Sequence, residues 1–411
     1  MRISPFRAVR PQPDKADHVA SVPYDVVNRD EAAALAAGNP ISFLHVVRPD
    51  IDLPADTDPY ADQVYEQART AFQQLRHDNI LIQEAEPALY LYRQVMAGRA
   101  QIGLVCCCHV QDYEQNLIKK HERTRQAKED DRTRHVLTLN ANAGPVFLTY
   151  RSLEPIDRVV ADVTAKTDPL YDFVAPDGVQ HTVWKTDPAQ ADAIVTAFTD
   201  VPCTYVADGH HRAASAWRAG QQRKNGNPDH TGNEEYNWFL TVLFPADQLC
   251  ILPYNRVVRD LNGLSSESII AQLAELGTVA PVATPDPAQP GTFCMYLAGQ
   301  WYQITVADAA IDRSDPVRSL DVAILQERVL QPLFNIEDPR TDERVDFIGG
   351  IRGVKALEQR VDQDGWGCAF LMYPTTVEQL MAVADADCIM PPKSTWFEPK
   401  LRSGLLVHLL D

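Results

Sequence analysis

The chain has 411 residues, 45% hydrophobic and 23% charged, the composition of an ordinary globular protein long enough for two or more domains. Lys and Arg number 38 against 56 Asp and Glu, a formal charge of −18, which disfavours generic attraction to nucleic acid or to an anionic membrane. No stretch approaches the ~18 apolar residues of a membrane span, MRISPFRAVRPQPDKA carries no apolar leader run, and the eight cysteines include no C-x-x-C pair, so a cytoplasmic protein with buried reduced thiols is expected.

In chain order, SVPYDVV (21–27) and ISFLHVV (41–47) read as extended, with Pro23-Tyr24-Asp25 either a structural turn or a turn beside a cleft, and about Tyr60 to His77 has helical spacing. ALYLYRQVM (88–96) and QIGLVCCCHV (101–110) predict a hairpin around Ala97-Gly98. LIKKHERTRQAKEDDRTRH (117–135) reads as a charged helix on which Glu122, Arg125, Glu129 and Arg132 share a face. Within it, His121-Glu122 sets a candidate general base beside the cations Lys119, Lys120 and Arg123.

Cys203 to Gly220, CTYVADGHHRAASAWRAG, is the densest segment chemically. A β-type run breaks into Asp208-Gly209-His210-His211-Arg212 and then into an Ala-rich helix. Asp208 is suited to cap that helix, Gly209 to take backbone angles other residues resist, and the first-turn N–H groups to meet an anion. The layout is that of a phosphate-handling site.

A polar loop follows, then the strands WFLTVLFP and LCILPYNRVV. Four prolines in GTVAPVATPDPAQPGT (277–292) suggest a linker, hence a division into residues 1–276 and 293–411. The second part offers a β pair at 293–306, helices near 320–333 and 375–384, an ion-pair-rich loop at 335–353, and MPPKSTWFEPKLRSG (390–404). In this last segment Lys393, Ser394, Thr395, Lys400 and Arg402 are donors of the kind that grip phosphate or carboxylate. The fold class expected is mixed α/β (α+β). Walker-type loops, G-x-S-x-G and zinc spacings are absent.

IKKHERTR, ADGHHRA and MPPKSTWFEPKLRSG together resemble the bacterial family called domain of unknown function 1015, over almost the whole chain from PFRAVRP near residue 5. The Asp208–Arg212 loop also resembles the phosphate loop of the ParB and sulfiredoxin-like superfamily, which includes kinases of free serine with a D-G-H-x-R loop. The resemblance implies a ParB/sulfiredoxin-like catalytic core with additional N-terminal and C-terminal α/β parts. It also implies that Asp208, Gly209, His210, His211 and Arg212 handle the donor phosphates while a glutamate acts as base. The resemblance does not locate that glutamate, and Glu122 is chosen on its chemistry. Sulfiredoxin chemistry needs a loop cysteine, which this chain lacks, and a ParB-like DNA role sits poorly with its charge.

The expected activity is phosphoryl transfer to a small hydroxylated amino acid, serine, or the reverse from phosphoserine. ATP, ADP or pyrophosphate would be the donor, with Asp208 holding Mg²⁺ or orienting a histidine. His211 and Arg212 would stabilise the transferred group; Lys119, Lys120, His121, Arg123, Lys393, Ser394, Thr395, Lys400 and Arg402 would add contacts to phosphate or substrate. Two alternatives stay open: a phosphatase of small phosphorylated metabolites, and a non-catalytic module that binds a nucleotide or amino acid. The sequence does not fix the oligomeric state.

Overall fold

The hairpin expected around Ala97-Gly98 organises the largest sheet. A computed structural model describes residues 1–411, and in it Ala97 (φ 49°) and Gly98 (φ 78°) both adopt the left-handed conformation that matches a two-residue hairpin turn to strand twist. The strands of this sheet are β1 (Ile3–Ser4), β2 (Tyr90–Met96), β3 (Arg99–His109), β4 (Ile118–Lys119), β5 (Val146–Tyr150), β6 (Tyr171–Val174), β7 (Gln180–Lys185), β8 (Thr204–Asp208) and β9 (Trp238–Pro245). They are ordered β4-β8-β5-β9-β3-β2-β7-β6, with β1 added to β3. From Gly103 to His109 every residue of β3 is buried, which explains the unbroken apolar run: a central strand covered on both faces has no polar side.

The longest helices beside this sheet are α1 (Asp62–His77), α2 (Gln126–Leu139), α3 (Glu154–Lys166), α4 (Pro188–Phe198) and α5 (His210–Gly226). Ile156 and Val163 of α3 and Ile194 and Phe198 of α4 pack with Leu104, Cys106, Leu148 and Val206 in one core cluster. A second cluster joins Phe43, Phe72, Leu139 and Val407. The chain closes on this same unit, which comprises Met1–Leu249 and Pro399–Asp411; His408–Leu409 pairs with Ala141–Asn142.

Cys250–Glu398 forms the second unit. Its strands are β10 (Tyr254–Val258), β11 (Gly277–Val282), β12 (Thr292–Leu297), β13 (Gln300–Val306), β14 (Val345–Gly349) and β15 (Cys368–Met372). They run β11-β13-β12-β15-β10-β14, every pair antiparallel, around a core of Val257, Cys294, Leu357 and Ala369. The whole is a mixed α/β structure. All eight cysteines are free and five of them are buried, and no helix is long and apolar enough to cross a membrane.

Four local expectations are corrected. Residues 277–282 are not linker but β11, paired only with β13; an edge strand has no second ladder, so it tolerates Pro281. Residues 41–47 end in a helical turn, Leu44–Val47, with Phe43, Leu44, Val46 and Val47 all buried; a short run apolar on every side does not distinguish a strand from a buried helix. In 21–27 only Ser21 pairs, as an isolated bridge to Ser403, and residues 24–27 form turns and bends. In 117–135 the helix starts only at Gln126, with Arg125 at its N-cap, so Glu122 shares no helix face with Glu129 and Arg132.

Candidate functional site

The site is made by two strand ends that point the same way. β4 and β8 pair in parallel, with Ile118 opposite Thr204 and Lys119 opposite Tyr205, so the chain leaves both strands at one end of the sheet. From β4 it runs into Lys120-His121-Glu122; from β8 it runs through Asp208-Gly209 into α5. The His121 and His210 rings meet edge to face, centroids 4.5 Å apart.

Gly209 takes φ +92°, ψ 35° and is itself the N-cap of α5, with no side chain capping the helix. This corrects the capping role expected of Asp208. Its carboxylate is committed elsewhere: Lys400 Nζ lies 3.2 Å from Oδ2 and an Arg212 terminal nitrogen 3.7 Å from Oδ1. Burial alone would raise the Asp208 pKa, but the charges of Lys400 and Arg212 outweigh it and hold the carboxyl well below the usual range. Gly209 is required twice, by its positive φ and because a Cβ there would lie 2.9 Å from Arg212 Nε.

Arg212 folds back over that glycine. It donates to the Pro145 carbonyl, and its second carboxylate neighbour is Asp25 at 3.8 Å. Its Nε is buried without a partner. Beside it, a cavity of about 40 Å³ is lined by Tyr24, Arg132, Gly144, Arg212 and Ser215, among others, room for a few waters. Burial and then the neighbouring Asp25 push the Tyr24 hydroxyl pKa upward, so it stays protonated.

The two loop histidines differ. His211 Nε2 accepts the Arg125 amide at 3.1 Å, tying the 120–125 loop to α5 and leaving Nδ1 as the N–H. His210 and His121 are buried, and three of their ring nitrogens, both of His121 and Nε2 of His210, lack a hydrogen-bond partner. Burial lowers both, His121 to about 4 and His210 well below its ordinary value, the latter also through His121. The Val206 backbone, near His121 but outside hydrogen-bond geometry, offsets only part of this. A carboxylate oxygen of Glu122, an exposed residue, comes within 4.8 Å of one ring nitrogen of each histidine.

The other expected residues divide. Lys400 joins the site through Asp208, and Gln94 fixes its carbonyl at 2.9 Å. Lys119 is half-buried beside β8, and Arg123 lies exposed on the loop. Lys120 turns to the Tyr113 carbonyl and ring, at 3.3 and 4.3 Å. Arg402 pairs with Asp177 and bonds His181 Nε2 at 3.2 Å, locking the C-terminal segment to β7. Lys393, Ser394 and Thr395 belong to the second unit. There Ser394 Oγ donates to the Pro391 carbonyl at 2.6 Å, and Lys393 lies 5.3 Å from the Tyr254 ring centre. Sequence reasoning missed Tyr24, Asp25, Pro145 and Ser215. The Pro23-Tyr24-Asp25 turn was their one visible signal, and it reads as structural until Arg212 is seen beside it.

The family model described as "Protein of unknown function (DUF1015)" matches residues 3–323. The chain belongs to the DUF1015 family. The match covers both the His121-Glu122 loop and Asp208 to Arg212 and ends before Lys400. No curated protein matches the sequence. Among solved structures, this DUF1015 member is weakly similar to a free serine kinase in complex with AMP, at 13% identity and TM-score 0.35 over 74% of this chain and 91% of that one. It is also similar to SbnI with a C-terminal truncation from Staphylococcus aureus, at 10% identity and TM-score 0.39 over 74% and 87%. A conserved hypothetical protein from Pyrococcus furiosus scores 0.33 at 11% identity, over 73% and 95%.

Proposed function

We propose that this protein transfers a phosphoryl group to or from the hydroxyl of a small amino acid, with serine the substrate of choice and ATP, ADP or pyrophosphate the donor. One observation carries the reading: an uncapped helix start after Gly209, flanked by Arg212 and Lys400, lies beside a loop that presents the carboxylate of Glu122. The sequence resemblance of Asp208 to Arg212 to the serine-kinase loop supports the same chemistry.

In the forward direction, Gly209 and the first-turn amides of α5 would receive phosphate oxygens, favoured by the helix dipole. Arg212 would offer its unpartnered Nε to charge on the transferred group, and Lys400 would raise the local positive potential. Asp208 would hold both cations in place. Glu122 would take the serine hydroxyl proton as that oxygen bonds to phosphorus and the bond to the leaving phosphate breaks. A divalent ion on the donor would neutralise charge on its phosphate oxygens.

Protein incubated with L-serine, Mg²⁺ and ATP, ADP or pyrophosphate in separate reactions is expected to yield O-phosphoserine with at least one donor. The reverse reaction should form the matching phosphorylated donor. Inorganic phosphate without phosphoserine would replace this reading by a phosphatase. Ligand binding without any product would replace it by a regulatory module.

A further inference from the structure

Asp208 is a poor place for a metal ion, since both of its oxygens already face cations. The buried pair next to it is the reverse case. The His121 and His210 rings lie 4.5 Å apart, and between them three buried ring nitrogens have no hydrogen-bond partner. Buried polar atoms are as a rule satisfied, so such a cluster calls for a partner, whether an ion or an ordered water. The Glu122 carboxylate completes a set in which one atom from each residue lies within 4.8 Å of the others.

We propose that His121, His210 and Glu122 bind a first-row transition-metal dication, such as Zn²⁺, Co²⁺, Fe²⁺ or Mn²⁺, and leave at least one coordination position open. Imidazole ligands select these ions over Mg²⁺, which prefers oxygen, and two His with one carboxylate is an open, reactive type of site. A tetrahedral ion about 2.1 Å from its ligands sets them about 3.4 Å apart, so binding needs shifts on the order of an ångström. The Glu122 side chain can supply them: it is exposed, on a loop held at Lys120 by the Tyr113 carbonyl and at Arg125 by His211.

Ordinary edge-to-face packing of two core histidines is the competing explanation, and it differs in what it predicts. The site shares Glu122 with the proposed phosphotransfer, but metal binding does not require that transfer. Protein stripped with chelator and titrated with Co²⁺, without nucleotide, is expected to bind about one equivalent and to develop the visible absorption of nitrogen-ligated Co²⁺. Glu122→Gln, a near-isosteric change at an exposed position, should weaken Co²⁺ binding at least about 10-fold, and His210→Gln should remove the nitrogen-ligated spectrum. The proposal is overturned if wild-type protein takes up no Co²⁺, or if Glu122→Gln binds Co²⁺ with unchanged affinity and spectrum. Phosphoserine formed by protein that binds no Co²⁺ would overturn the metal site alone, whereas Co²⁺ bound without phosphoserine from any donor would leave it standing and remove the kinase reading.

Discussion

His135 lies outside the proposed chemistry, so it tests the physical picture of the first unit cleanly. It sits in α2 with 5% of its surface exposed, and Nε2 lies 2.9 Å from the Val46 carbonyl. Burial and then the charge of Arg132 lower its pKa from 6.5 to about 4. A folded value below the unfolded one means that the unfolded chain binds the extra proton, so this stability is lost as pH falls from about 6.5 toward 4. The full shift corresponds to about 3 kcal/mol, of which about 2 kcal/mol is lost between pH 7 and pH 5. His181, lowered to about 3 by burial and Arg402, adds to the loss. Asp321 of the second unit, raised to about 7 by burial, opposes it and gains stability as pH falls. Both are the same in wild type and in His135→Gln, whose amide can still donate to Val46. Denaturant titrations at pH 7 and pH 5, read by hydrogen exchange in residues 126–139, should show wild type losing about 2 kcal/mol more than the variant. Equal losses in the two proteins would mean that His135 is not held neutral by burial, and the reasoning would fail.

Gly209→Ala should cost about 1–2 kcal/mol through the left-handed backbone alone; because its Cβ would displace the Arg212 guanidinium, thermal melts and turnover should fall together. Glu122→Gln is expected to lower kcat by roughly 10²–10⁴-fold with donor affinity nearly unchanged, and unimpaired turnover at saturation would take the base role from this residue. Lys400→Met leaves Asp208 with Arg212 alone at 3.7 Å. The Asp208 side chain is still a quarter exposed, so the stability loss at pH 7 should be only about 1 kcal/mol. As the Asp208 pKa is depressed, the pair stabilises above the unfolded pKa near 3.9 and is lost below it. The difference between wild type and Lys400→Met should therefore vanish in acid melts, and a difference that persisted would assign Lys400 another role.

Local chemistry made part of this protein legible in advance. Ala97-Gly98 fixes its hairpin because two adjacent left-handed residues close a two-residue turn. β8, Gly209 and α5 follow from an apolar run, a glycine and an alanine-rich helix within eighteen residues, so the strand–loop–helix of the candidate site could be located without a structure. The partners of that loop could not. His121 meets His210 only because β4 pairs in parallel with β8 across more than eighty residues, a pairing settled by the whole sheet. Asp208 loses its expected cap because Lys400 returns from the far end of the chain, carried by the pairing of His408–Leu409 with Ala141–Asn142. The same applies to Pro281, harmless on an edge strand, and to residues 44–47, helical because core surrounds them on every side. Turns and helix starts are set by bonds between near neighbours, whereas strand partners, buried imidazole pairs and carboxylate partners depend on burial shared by distant segments.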